Sequence, residues 1–159
     1  MNLIVFRADA GEKLLDLADL AASTPDAVHQ HERECEQTLT GALRVLGMPV
    51  GGLVVAFDAA TSTVTLAGPV ADQPAREKII LCVGNVQGVR QVLDLLDLPP
   101  SMQSAPAQLY AVQAGETLSS IAAKVYGDPG QYRRIFDANQ PMLSDPGKIY
   151  PGLMLRLPT

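Results

Sequence analysis

The stretch that decides the fold of the C-terminal third reads YAVQAGETLSSIA, residues 110–122. Residues 108–113 are typical of a strand, and Gly115 allows the chain to turn directly after it. Thr117 then precedes a helical pattern and is a good N-cap residue. The apolar side chains of that helix are Leu118, Ile121, Ala122 and Val125. The stretch therefore predicts a strand, a turn and a capped helix.

The residues that follow complete a small unit. A Gly-Asp-Pro-Gly turn at 127–130 leads to a second helix over 131–139. A closing strand is predicted at 153–157, after the tight turn Tyr-Pro-Gly at 150–152. Residues 108–159 therefore form a β-α-α-β domain, close to the lower size limit for independent folding.

Upstream of this unit, residues 98–107 have the Pro, Ser and Ala content of a linker. Before it, residues 25–97 predict a domain with the order helix, strand, strand, helix, strand. These elements are a helix at 26–47, a hairpin at 53–57 and 63–67, a helix at 72–86 and a strand at 90–95. Residues 1–24 form a separate segment, predicted to be helical over 3–21 with a break near Gly11. The whole chain is therefore predicted to be α+β.

Composition excludes several classes of function. The 159 residues carry a net charge of −5, with −6 on residues 1–107 and +1 on residues 108–159. An acidic chain is a poor nucleic-acid binder, and no apolar run is long enough to span a membrane. The apolar run at 3–6 is too short for a secretory signal, so we expect a cytoplasmic monomer.

Residues 110–122, 135–139 and 149–158 together resemble a LysM module over its whole length. Gly68, the helix from Ala75 to Val86 and the run Val-Gly-Asn-Val-Gln-Gly-Val at 83–89 look like a BON domain. With the leading run DAGEKL at 9–14, the chain is similar end to end to a family of small bacterial potassium-binding proteins. Only the segment from about Ala18 to Gln30 departs from that family.

The resemblance implies a K⁺ site made of main-chain oxygens from the N-terminal segment and the glycine loop. The positions that match are Arg7, Ala10, Glu12, Gly84, Val86 and Val89. Neutral carbonyls can replace the water shell of K⁺, and the C-terminus of a helix carries partial negative charge. On this interpretation, bound K⁺ would order the arrangement of the two domains.

Two other interpretations of these residues stay open. From the sequence pattern alone, Gly11, Gly84 and Gly88 are better explained as helix ends and turns, and only the resemblance favours the site. A Ca²⁺ site built from Asp9, Glu12 and Asp16 is also conceivable, although it lacks the regular carboxylate spacing of an EF-hand loop.

A LysM module implies a groove that binds polymers of N-acetylglucosamine. The matching positions are Gly115, Glu116, Thr117, Leu118, Asn139, Pro141, Ile149 and Tyr150. The second hypothesis is accordingly a cell-envelope module that binds peptidoglycan, with a membrane or another protein as further partner. Against it, Leu118, Ile149 and Tyr150 are also suitable core residues, and Asn139 a suitable helix cap. A third hypothesis is an adaptor without a ligand of its own.

The sequence gives little support to catalysis, and we expect no enzyme activity. His29 and His31 lie two residues apart and would point to different faces of a helix. His31 and Cys35 share a face, but further metal ligands are not evident. Ser119 and Ser120 have no histidine within their own domain.

Overall fold

The computed structural model describes residues 2–7, 9, 11 and 24–158, which form two units. The N-terminal unit contains β1 (Asn2–Val5), α1 (Pro25–Val45), β2 (Val54–Asp58), β3 (Thr63–Pro69), α2 (Gln73–Gly84) and β4 (Gln91–Asp97). The C-terminal unit contains β5 (Gln108–Ala111), α3 (Leu118–Tyr126), α4 (Tyr132–Ala138) and β6 (Met154–Leu157). The predicted α+β class is confirmed, and the predicted order of elements from residue 25 onward is observed.

The first element corrects the sequence prediction. Residues 2–5 form a strand that pairs antiparallel with β4, so the predicted helix does not begin at Leu3. A run of four apolar residues does not distinguish helix from strand, and the partner strand lies about ninety residues further along the chain. Residues 12–21 of the predicted helix lie outside the described residues.

The four strands of the N-terminal unit form one mixed sheet in the order β1-β4-β3-β2. β2 and β3 are the predicted hairpin, whereas β3 and β4 are parallel and α2 connects them. β4 is therefore central in the sheet, and its N-terminal end continues directly from the loop that follows α2.

Both helices of this unit begin at a side-chain cap and pack on the sheet. Thr24 caps α1 by accepting from the Ala27 amide, and Asp72 caps α2 by accepting from the Ala75 amide. The core between helices and sheet contains the buried side chains Leu39, Leu43, Phe57, Val64, Leu66, Ile79, Leu81, Val83 and Val92.

The C-terminal unit packs its two helices on a two-stranded antiparallel sheet. Thr117 and Ser120 form a reciprocal capping box at the start of α3, and Gly127 ends that helix with a positive φ of 75°. Its core is small and consists mainly of Leu118, Ile121, Ala122, Ile135, Leu153, Leu155 and Leu157.

The two units contact each other through α2 and β6. The Glu77 carboxylate accepts from the Arg156 guanidinium at 2.9 Å and from the Ala107 amide at 2.9 Å. Met142, Met154 and Leu109 of the second unit pack against the core of the first. Among the described residues, no helix is long and apolar enough to cross a membrane.

Candidate functional site

The loop that follows α2 brings three of the predicted potassium ligands together. Asn85 is the C-cap of α2, and the Val86 amide donates to the Val83 carbonyl at 3.3 Å. The Val89 amide in turn donates to the Val86 carbonyl at 3.1 Å, and Gly88 has a φ of 98° that favours glycine. Gly84, Val86 and Val89 are all buried in this turn. In the part of the chain that the structure describes, the Gly84 and Val89 carbonyls accept none of these loop hydrogen bonds.

The N-terminal segment lies against this loop at two places. A Cβ atom added to Gly84 would lie 2.1 Å from the nearest atom of the Phe6 ring. A Cβ atom added to Gly11 would lie 1.8 Å from the Asn85 carbonyl oxygen, and Gly11 has a φ of 111°. Only glycine therefore allows either contact, which gives both residues a role beyond ending a helix.

Arg7 lies between these two contacts, with its side chain in solvent. Its guanidinium donates to the Asp9 carboxylate at 3.0 and 3.2 Å, and the two side chains are 55% and 72% exposed. The hydrogen bond and charge of Arg7 lower the pKa of Asp9, so the pair is ionised and neutral overall at pH 7. The charge of the Arg7 side chain is thus balanced by Asp9. The cation ligand predicted at this position is the main-chain oxygen of Arg7.

The other residues of the cation hypotheses are only partly described. Ala10 and Glu12, both predicted potassium ligands, lie outside the described residues, as does Asp16 of the calcium hypothesis. Across the described ranges, no cluster of three or more histidine, cysteine, aspartate or glutamate side chains is arranged to hold a metal ion. In this part of the chain the potassium hypothesis therefore depends on the main-chain oxygens near Gly84.

Asn85 has a role that the sequence did not predict. Its side chain accepts from the Met154 amide at 2.8 Å and donates to the Met154 carbonyl at 2.8 Å, so it pairs with β6 as a strand would. The residue that follows Gly84 in the loop is thus joined to the C-terminal unit. The signal in the sequence is an asparagine at the end of an apolar helix. It does not indicate the partner, which lies 69 residues away in the chain.

The predicted glycan positions divide into exposed and structural residues. Gly115 and Thr117 are exposed, whereas Glu116 accepts from the Tyr110 hydroxyl and from the Gln113 amide. Leu118 and Asn139 are each 2% exposed. The Asn139 amide group bonds to Ile135 and to both main-chain groups of Arg156, so it holds the fold together.

The remaining three glycan positions lie in the loop before β6. Pro141, Ile149 and Tyr150 are each half-buried, and both Ile149 and Tyr150 pack against the core of the C-terminal unit. Tyr150 additionally faces a cavity between the two units. The predicted groove therefore has exposed residues on the α3 side and packed residues on the β6 side.

The residues considered for catalysis or metal binding have structural contacts. The Cys35 sulfur lies 3.6 Å from His31 Nε2 within α1, and His29 pairs with Glu32. The Ser120 hydroxyl accepts from the Thr117 amide as part of the helix cap. Ser120 is therefore part of the α3 cap, and Cys35 and His31 contact each other across one turn of α1.

Comparison with known proteins gives a family match in the C-terminal unit and a relative that matches the whole chain. The sequence pattern of the LysM domain matches residues 110–158. The potassium binding protein Kbp of Escherichia coli O6:H1 is 36% identical over 159 residues, which is 99% of each chain. An uncharacterised protein of Deinococcus radiodurans is 42% identical over 50 residues, covering 31% of this chain and 19% of its own.

Proposed function

The chain belongs to the family of the potassium binding protein Kbp, and from that premise we propose that it binds K⁺ in the cytoplasm. The ligands are main-chain carbonyls of the N-terminal segment, at Arg7, Ala10 and Glu12, and of the loop at Gly84, Val86 and Val89. The observation that carries this proposal is the contact of Gly11 with the Asn85 carbonyl, because it places the two segments side by side.

The chemistry of the loop favours a weakly hydrated cation. The last carbonyls of a helix lack intrahelical partners and carry partial negative charge, and α2 ends at Gly84. Neutral carbonyls can replace the hydration shell of K⁺. The acidic surface of residues 1–107 raises the local concentration of any cation, so discrimination against Na⁺ has to come from the arrangement of the carbonyls.

Bound K⁺ would also stabilise the contact between the two units. Asn85 joins the loop to Met154, so a ligand that fixes the loop fixes the side chain that pairs with β6. K⁺ shifts this equilibrium only if it binds the docked arrangement more tightly than an undocked one. We therefore propose a binding or sensing protein and not an enzyme.

Calorimetry with the full chain tests the site. KCl should give saturable heat, whereas NaCl and LiCl should give much less. Gly11→Ala should abolish the K⁺ heat because its Cβ would meet the Asn85 carbonyl. Gly47→Ala is the matched control, since Gly47 has a φ of 76° but nothing within 4 Å of its Cβ position. Equal heats in all three salts, or a Gly11→Ala variant that binds normally, would contradict the proposal.

The LysM match supports a second candidate, a module that binds peptidoglycan. The exposed residues Gly115 and Thr117 would form one side of its groove. Co-sedimentation of the full chain with purified peptidoglycan tests this function, and a chain that stays in the supernatant removes it.

A further inference from the structure

A cavity of about 320 Å³ lies between the two units, and Val86 of the proposed K⁺ loop is among the residues that line it. α1 and α2 contribute apolar side chains to it, among them Leu39, Leu43 and Val83. Leu143 and Leu153 line it from the C-terminal unit, and all five are buried. Apolar cavities of this size at the boundary between domains are typical places for small ligands.

The polar side of the cavity comes mainly from a single segment of the C-terminal unit. Ser144, Lys148 and Tyr150 line it there, and Asn85 lines it with an amide already paired to Met154. Lys148 is the only charged residue among the described residues that line the cavity. The nearest acidic residue in this segment, Asp145, is outside the lining and accepts from the Gly147 amide.

Lys148 at one side of an apolar cavity favours a ligand with one negatively charged end. We propose that the cavity binds a small amphipathic carboxylate, with its hydrocarbon part between α1 and α2 and its carboxylate at Lys148. The volume suits a single medium-length chain and is too small for a two-chain lipid. The proposal assigns no role to the loop carbonyls, although Asn85 and Val86 of the loop line the cavity.

Titration of the full chain with octanoate, followed by ¹⁵N–¹H correlation spectra, tests the proposal. The expected result is saturable shifts of amides in residues 39–46 and 142–150. Octan-1-ol should bind more weakly because it lacks the charge, and octyltrimethylammonium should not bind. Shifts that instead centre on the exposed apolar face of the sheet, at Leu3, Val5 and Leu95, would overturn the proposal.

Two variants examine the charge and the cavity separately. Lys148→Gln should weaken octanoate binding about tenfold, the effect of losing one charge-assisted hydrogen bond. Lys124→Gln is the matched control, because Lys124 is exposed like Lys148 but does not line the cavity. Ala42→Phe should fill the cavity and abolish binding. Equal octanoate affinity for the wild type, Lys148→Gln and Ala42→Phe would overturn the proposal even if some binding is observed.

Discussion

At the scale of single residues, two buried asparagines pair with the main chain of the same strand, β6. Asn139 accepts from the Arg156 amide and donates to its carbonyl, and Asn85 does the same with Met154. Their partners lie two positions apart in β6, so each asparagine replaces a neighbouring strand. Asn139 belongs to the unit that contains β6, whereas Asn85 comes from the other unit and therefore contributes to docking.

Asn85→Ala should lower the free energy of unfolding by about 2 kcal/mol, because it leaves two main-chain groups of Met154 without partners. Asn85→Asp should not restore this stability, because its carboxylate would place a buried negative charge against the Met154 carbonyl and the C-terminus of α2. Urea denaturation measures both values, with Gln37→Ala on the exposed face of α1 as the control. A loss for Asn85→Ala as small as that of the control would show that the bonds to β6 contribute nothing.

A second prediction at the scale of single residues concerns the reactivity of the Cys82 thiol. Burial raises the pKa of its thiol to about 12, so the thiolate is scarce at pH 8. In a Cys35→Ala background, we expect Cys82 to react with a disulfide reagent about a thousandfold more slowly in the folded chain than in urea. The stability that the buried thiol provides should be present below the unfolded pKa and lost as the pH rises from about 9 to 12. Equal rates with and without urea would contradict this.

At the scale of elements, α1 protects the edge of the sheet. β2 is an edge strand, and its Phe57 amide donates to the Glu36 carboxylate of α1 at 2.9 Å. Directly after β2, the Ala59 amide donates to the Glu32 carboxylate of α1 at 3.0 Å. Unpaired amides on an edge strand are a template for association with another chain. The acidic residues of α1 are therefore not all solvated, because Glu32 and Glu36 accept hydrogen bonds from main-chain amides.

Glu36→Ala should destabilise the chain by about 1 to 2 kcal/mol and increase its self-association, because the Phe57 amide loses its acceptor. Glu36→Gln keeps an amide oxygen at this position and should lose less than half as much. Urea denaturation and light scattering at several concentrations provide the two measurements. Glu34→Ala, an exposed residue of the same helix, is the control, and it should behave as the wild type.

The elements also show which parts of the fold the sequence could predict. α1 and α2 were predicted because apolar periodicity and capping residues are local signals, as Thr24 and Asp72 demonstrate. β1 was missed because pairing with β4 depends on a distant partner. The loop from Gly84 to Val89 was predicted as part of a site. The bonds of its Asn85 side chain to Met154 were not predicted, because they depend on how the two units dock and no local sequence pattern encodes that docking.

At the scale of the whole molecule, one buried ion pair joins the units. Glu77 in α2 and Arg156 in β6 are 2.9 Å apart, and their side chains are 8% and 13% exposed. The same carboxylate accepts from the Ala107 amide, which belongs to the segment connecting the units. Glu77 belongs to the helix that ends at Gly84, so the residue that bonds to the C-terminal unit and the start of the proposed K⁺ loop lie on the same helix.

Glu77→Ala should therefore separate the units, because it leaves the Arg156 guanidinium buried without a counterion, at a cost of about 3 kcal/mol. Small-angle X-ray scattering should report a larger radius of gyration, while α2 and the sheet remain folded by circular dichroism. The double variant Glu77→Leu with Arg156→Leu should be compact again, since replacing both partners of a buried pair by apolar residues is often neutral.

Asp94→Ala is the control, because it breaks the ion pair of Asp94 with Arg76 inside the N-terminal unit. It should reduce stability without separating the units. A compact Glu77→Ala variant would mean that the Asn85 contact with Met154 and the apolar packing hold the units together without the ion pair.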